Sequence, residues 1–350
     1  MGVLSRIGLR RANQWEAPTL LDKLLDGPLH YLVAVIYGVL VWLRGRPFAP
    51  PSGRQRVRVV CISDTHDLTL DTVPDGDLLI HAGDLTNAGT VKDIQRQIDW
   101  LASLPHQHKV MIAGNHDTWL DPVSRKTLVN KSAEDPSAVP DFKGIHYLED
   151  KSVQLVFKPS GCTLNVYGSP HIPRCGGSDF AFQYMRNDPP WANKIPKATD
   201  ILVTHTPPVR NYHAKLFQSM ALLGLREQHH LDLGLGCSGL LSEIWRVKPR
   251  LHVFGHVHTA AGRQAVYFDD CQLAFESLMA RPRRGVFRDL MLPHAGWIDA
   301  CKVVLYGLNA VLFKWIMQGP GPNHGGLMVN AAQMYRNTGK LGNRPQVVDM

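Results

Sequence analysis

Short apolar runs that end on a polar residue recur along the middle of this chain. Arg56–Asp64 (RVRVVCISD) and Asp77–Asp84 (DLLIHAGD) each carry β-forming residues into a carboxylate. Lys109–Asn115 (KVMIAGN), Ile201–His205 and Leu251–His256 repeat the design with Asn or His at the tip. Runs of this kind predict strands buried on both faces, which need helices to cover them. Thr90–Leu104 supplies one such helix, because Val91, Ile94, Ile98, Trp100, Leu101 and Leu104 share a broad face at helical spacing. The pattern predicts a layered α/β core with its chemistry at the carboxyl ends of the strands.

Two longer apolar segments stand outside this pattern. Leu29–Leu43 (LHYLVAVIYGVLVWL) is fifteen residues between Pro28 and Arg44, shorter than the roughly 18 that mark a membrane span. It lies too deep for an ordinary signal peptide and lacks a small-residue cleavage site. Arg44 and Arg46 suit a helix lying against a membrane, while packing on the soluble core fits equally. Cys301–Met317 (CKVVLYGLNAVLFKWIM) is interrupted by Lys302, Asn309 and Lys314, which favours an interfacial or packed helix over a span. It sits between two β-like regions, Gln264–Phe275 and Gly326–Ala332. The expected division is a hydrophobic helix and linker (1–50), a core (56–275), an insertion carrying the second helix (276–326), and closing strands (327–350). Packing of the two helices on each other would give a shared hydrophobic surface, a candidate for peripheral membrane contact.

Composition narrows the class only a little. Hydrophobic residues at 44% and charged residues at 19% suit a packed globular protein. The net charge of +8, with basic groups at Arg6–Arg11, Arg44–Arg58 and Arg281–Arg288, would attract an anionic substrate, a phospholipid surface or nucleic acid and selects none of them. No aromatic-and-basic stripe marks a polynucleotide track, so no specific nucleic-acid partner is indicated. The six cysteines form no CxxC pair, which argues against a zinc ribbon or a thioredoxin-like site. They fit mostly buried thiols in a reducing compartment, and hence an intracellular protein, cytoplasmic or peripherally membrane-associated.

The chemistry gathers in five short stretches: Asp64-Thr65-His66, Gly83-Asp84-Leu85-Thr86-Asn87, Gly114-Asn115-His116-Asp117, Thr204-His205-Thr206 and Gly255-His256-Val257-His258. Each lies just beyond a predicted strand. Carboxylate, imidazole and amide oxygen together suit divalent first-row metals such as Mn²⁺, Fe²⁺ or Zn²⁺. A lone DxH or HxH is weak, and Asp84 or Asn115 alone could cap a helix. Five in order at successive strand tips are not explained that way.

In this order the stretches resemble the calcineurin-like metallophosphoesterases, whose motifs run DxH, GDxxD/N/E, GNHD/E, H and GHxH. The resemblance covers about residues 56–275, and VNAAQMY (329–335) with PQVVD (345–349) look like closing strands of the same core. DILVTHTPP (200–208) and RVKPRLHVFGHVH (246–258) further resemble the small metallophosphoesterase-domain branch. The resemblance implies a layered β-sandwich flanked by helices and two divalent ions. One ion would take Asp64, His66 and His258, the other Asn115, His205 and His256, with Asp84 bridging.

Two such ions would present a hydroxide for in-line attack on phosphorus and offset the charge of the transition state. His116, next to Asn115, is the expected catalytic residue, protonating the leaving oxygen or acting as imidazolium. Many family members carry a carboxylate at the position of Asn87 to orient that histidine. The amide here predicts weaker support unless Asp67 or Asp117 takes the role. Arg174 and Arg210 are candidate substrate contacts or simply exposed loop residues. The expected activity is a phosphodiesterase acting on a small or nucleotide-like substrate. The alternatives are a phosphomonoesterase or pyrophosphatase, and a metal-binding, membrane-associated scaffold with little turnover.

Overall fold

Each of the five apolar runs becomes a strand and stops one to three residues short of its polar tip. In the computed structural model, which describes residues 3–6, 8–10, 19–48, 56–131, 135–158, 160–208, 236–290, 294–318, 325–335 and 338–350, the strands in chain order are β1 (Arg58–Ile62), β2 (Leu78–Ala82), β3 (His108–Ile112), β4 (His146–Tyr147), β5 (Lys151–Phe157), β6 (Cys162–Ser169), β7 (Ile172–Pro173), β8 (Gln183–Tyr184), β9 (Ile201–Thr204), β10 (Leu251–Phe254), β11 (Gly262–Val266), β12 (Gly326–Asn330) and β13 (Gln346–Asp349). One sheet has the order β13-β1-β2-β3-β4, and the other β11-β12-β10-β9-β6-β5. The sheets pack face to face, β2 against β10 and β3 against β6. The fold is thus α/β, with mixed sheets flanked by helices.

Register decides what meets at the end of these sheets. β1, β2 and β3 run parallel with Ile62 opposite His81 and Ala82 opposite Ile112, so Asp64, Asp84 and Asn115 leave the first sheet side by side. In the second sheet β9 and β10 are parallel with Val203 opposite Val253, which sets His205 opposite Gly255 and next to His256, with Gly255 N donating to His205 O at 3.2 Å. The strands are fully buried from Leu78 to Ala82, Ile201 to Thr204 and Leu251 to Phe254. The helix Val91–Ser103 covers the first sheet as its periodicity predicts. Thr90 caps it by accepting from Asp93 N, and Ile94, Ile98 and Leu101 are buried.

The chain separates into two compact units, one holding the sheets (described residues within 49–209, 235–264 and 326–350) and one helical (within 1–48 and 265–325). The helical unit contains Leu20–Asp26, Pro28–Arg44, Asp270–Ala280, Gly285–Leu290 and Ala295–Phe313, the last continuing as a π-helical turn, Lys314–Gln318. The two long apolar helices pack against each other, Leu40 filling the space above Gly307. Val33, Tyr37, Leu40, Phe275 and Val303 share their core, with the Tyr37 and Phe275 rings stacked at 4.0 Å.

One expected β region is corrected. Only the start of Gln264–Phe275 is strand, because β11 ends at Val266 and Asp269 then caps a helix by accepting from Gln272 N at 3.0 Å. That helix buries Cys271, Ala274, Phe275 and Leu278 at a spacing of three and four.

Candidate metal centre

The strand tips are turned inward by a backbone conformation that side chains seldom adopt. Asp64, His66, Asp84 and His256 have φ of 54°, 46°, 53° and 67°. Each departure into the left-handed region costs about 1–2 kcal/mol for a non-glycine residue. Four such residues around one small volume mean that the two sheets hold the turns in place. Gly114 and Gly255 are needed for a different reason. A β-carbon on Gly114 would overlap the Asp84 carboxylate, and one on Gly255 would overlap the Asp64 carboxylate and the Ser63 hydroxyl.

The side chains converge in two groups with Asp84 common to both. Asp64, His66, Asp84 and His258 form the first, Asp84, His205 and His256 the second, each set of ligand atoms within 4.8 Å of one another. His66 Nε2 and His258 Nε2 are 3.2 Å apart, and His258 Nε2 is 3.2 Å from Asp64 Oδ1. Asp84 Oδ2 lies 3.3 Å from His205 Nε2 and 3.8 Å from His66 Nε2. Asn115 joins the second group, its Oδ1 3.1 Å from His205 Nε2. Two imidazole nitrogens bonded to one ion at about 2.1 Å sit roughly 3 Å apart. Buried nitrogens and carboxylates at these spacings therefore fit a pair of first-row divalent ions. The two clusters support a dinuclear metal centre.

Surrounding hydrogen bonds orient the set. Asp64 accepts from His256 N through both oxygens, at 3.0 and 3.1 Å, and Asp84 Oδ1 accepts from His116 N at 2.8 Å. His205 Nδ1 donates to the Ala82 carbonyl at 2.9 Å, leaving Nε2 for the second group. Asn343 Nδ2 is shared among the carbonyls of His258, Ala332 and Met334, at 3.2, 3.0 and 2.9 Å, and clamps the loop that carries His258.

Charge inside the cluster is finely opposed. Burial alone would push Asp64 up, but its hydrogen bond with His258 and the nearby His205 hold it at about 2. Asp84, equally buried, is held well below the usual carboxylate range by His205. Burial pulls His205 down, yet Asp84 and Asp64 raise it to about 9, whereas burial and the His205 charge lower His256 to about 4.

His116 is half-buried and stands beside the first group, its ring 5.0 Å from that of His66. Its Nδ1 donates to the backbone carbonyl of Asn87 at 3.0 Å. The Asn87 side chain points elsewhere, its Nδ2 donating to His66 O at 2.9 Å and to Asp67 Oδ2 at 3.1 Å. Neither expected substitute reaches His116. Asp67 is engaged by Asn87 and, at 3.1 Å, by Arg96. Asp117 accepts from Gly114 N, Leu85 N, Thr86 N and Thr86 Oγ1 and ties two of the tips together. Burial and the Asp84 charge push Asp117 up to about 6 against those four donors.

Phe180 is a neighbour that the sequence does not announce. Its ring lies 4.8 Å from that of His116, held by Ala181 N donating to Asn115 O at 2.9 Å and by Thr118 Oγ1 donating to Asp179 O at 2.7 Å. Nothing in the polar pattern marks it, because a lone aromatic in a loop has no period. Arg174 is exposed in the neighbouring loop, and its side chain makes no hydrogen bond or ion pair among the described residues. Arg210 lies outside the described residues.

Residues 57–260, more than half of the chain, match the calcineurin-like phosphoesterase family. The chain belongs to that family. Among relatives, it is 34% identical over 233 residues to metallophosphoesterase domain-containing protein 1 of Homo sapiens, covering 63% of this chain and 66% of that protein. A UPF0046 protein of Caenorhabditis elegans is 35% identical over 226 residues, 61% of this chain and 72% of that protein. A protein of Emericella nidulans called probable rhamnogalacturonate lyase C is 39% identical over 279 residues, which are 79% of this chain and only 23% of that protein. The small metallophosphoesterase-domain branch is thus represented among its relatives. Membership and the two clusters together support a metal-dependent hydrolase in general terms.

Proposed function

We propose that the chain is a phosphodiesterase that cleaves a small or nucleotide-like phosphoester with two divalent ions, Mn²⁺, Fe²⁺ or Zn²⁺. The observation that carries this reading is the meeting of seven donor side chains in two groups sharing Asp84, with His116 directly beside them. In the proposed assignment Asp64, His66 and His258 hold one ion, Asn115, His205 and His256 the other, and Asp84 both. Bound ions would supply Lewis acidity toward the phosphoryl oxygens and lower the pKa of a coordinated water.

The remaining chemistry belongs to the protein. The Asn87 carbonyl can only accept, so Nδ1 of His116 carries a proton, and the other ring nitrogen must hold a second one, as imidazolium, to protonate the departing oxygen. Phe180 places an aromatic wall against that same ring, which supports a leaving group with an organic face and hence a diester over inorganic pyrophosphate. Arg174 and Arg210 are proposed contacts to the phosphoester anion. The lyase name of the Emericella nidulans relative belongs to a protein of which this chain spans 23%, and the cluster of metal donors favours hydrolysis instead.

The test is a metal-reconstituted panel of phosphodiesters, phosphomonoesters and pyrophosphate with wild type, Asp84→Ala and His116→Ala. The expected pattern is diester turnover, loss of bound metal in Asp84→Ala, and retained metal with reduced turnover in His116→Ala. A wild-type protein that binds no metal would sink the proposal. Metal bound at full occupancy with no turnover on any ester would favour a scaffold.

A further inference from the structure

Of the 28 large hydrophobic side chains exposed among the described residues, 22 belong to the helical unit and 6 to the sheet unit. Scattered exposed apolar residues are ordinary, but this concentration is not. The helix Ala295–Phe313 and the turn after it contribute most: Leu305 is 66% exposed, Leu312 57%, Ile316 74% and Met317 68%. Its opposite face is used, with Ala300 and Val303 buried and Gly307 against Leu40. The exposed face is therefore not the result of a helix lacking a partner. It is the second face of a packed helix.

The charges around this face indicate its partner. Asp299, the one acidic residue in Ala295–Gln318, is turned inward and bonded to Arg281 Nε at 2.7 Å and Ser277 Oγ at 3.2 Å. Pro28–Arg44 contains no acidic residue, and in Gly285–Leu290 Asp289 is fully buried while Arg288 is exposed. Exposed Lys302, Arg284 and Arg288 outnumber the one exposed carboxylate among the described residues of this unit, Asp270 at the start of the neighbouring helix. Phe287, at 77% exposure, stands between those two arginines. Trp42 and Trp315 are 58% and 54% exposed, and indole rings favour the boundary between headgroups and acyl chains. A face with bulky apolar side chains, interfacial aromatics, exposed cations and inward-turned carboxylates complements an anionic lipid surface.

We propose that the helical unit docks on anionic bilayers through the exposed face of Ala295–Gln318, with Phe287 as a second insertion point. The segment Ala295–Met317 is long and apolar enough to span a membrane by length and composition. Surface docking is favoured because its inner face is packed on Pro28–Arg44 and Asp270–Ala280 and because Asp299 would have to leave Arg281 in a span.

The experiment is flotation of the full-length protein with vesicles of phosphatidylcholine alone and of phosphatidylcholine with phosphatidylserine. The expected result is co-flotation with the anionic vesicles and at least a tenfold weaker partition for Leu305→Asp/Ile316→Asp. A second variant, Phe287→Asp, should weaken partition independently. All three sites are exposed, so near-ultraviolet circular dichroism should remain unchanged. Absence of co-flotation of a monodisperse wild type would overturn the proposal. So would a concentration-dependent dimer that the double substitution abolishes, since the face would then belong to a second copy. Protein that stays on the vesicles through an alkaline carbonate wash would overturn surface docking in favour of a span.

Discussion

Metal binding should release about one proton from His205 near pH 7.5, beyond any lost by a coordinated water. Burial by itself would lower this histidine, but Asp84 and Asp64 raise it to about 9, so the metal-free protein holds it ~97% protonated at that pH. A coordinated imidazole must be neutral. Asp64 at about 2 and His256 at about 4 are already deprotonated, as are Asp84 and His66, both of which are shifted down. The His205 contribution should therefore approach one near pH 7.5 and fall to roughly a tenth near pH 10. The same shift makes a stability prediction for the metal-free protein. A histidine raised from 6.5 to about 9 contributes roughly 3 kcal/mol. That contribution is fully present below the unfolded value and is lost as pH rises through the folded one. Isothermal titration of metal in buffers of different ionisation enthalpy reads the proton count, and urea unfolding of chelator-treated protein reads the stability slope. Heats of metal binding independent of buffer at pH 7.5 would falsify the assignment of His205.

Four further outcomes follow from the geometry. His116→Ala should keep both metals by elemental analysis while turnover of the best diester falls about 10²–10⁴-fold. Asn87→Asp should give no faster turnover and a lower melting temperature, because it sets a second carboxylate at the 3.1 Å contact with Asp67 and loses the donor to His66 O. Asp117→Ala leaves four donors without their acceptor and should cost at least about 3 kcal/mol in chemical denaturation. Gly255→Ala forces a β-carbon into the Asp64 carboxylate and should lower metal content while destabilising the fold by about 1–3 kcal/mol.

The sheets and the site were legible for a common reason. Val59–Ile62, Leu78–Ala82 and Leu251–Phe254 are buried on both faces, so their runs are apolar except for His81 and His252. Those two are themselves buried and bonded to Thr65 and Thr204. A carboxylate or histidine follows two residues beyond each strand end. Asp269–Phe275 misled because Cys271, Leu273 and Phe275 alternate as a strand would. The cap at Asp269 and burial of Cys271, Ala274, Phe275 and Leu278 decide for helix, and Leu273 is left 53% exposed. The role of Asn87 was illegible because it depends on direction. Its side chain faces Asp67 and its backbone faces His116, a distinction that residue type alone does not carry. Phe180 reaches His116 through a loop pinned to Asn115 and Thr118, contacts that exist only after the chain has folded.

The clamp made by Asn343 gives the centre a place in time. Donors to the proposed ions begin at Asp64, yet the loop bearing His258 is fastened by a side chain near the far end of the sequence. β1 meets β13 across a separation that reaches 291 residues between Arg58 and Asp349. Synthesis proceeds from the amino terminus, so a growing chain exposes the early donors well before it can hold His258 against them. Closing so long a loop is among the slower steps of folding. Capture of the proposed ions would thereby be tied to completion of the sheet, since a partly made chain would offer only an incomplete set of donors.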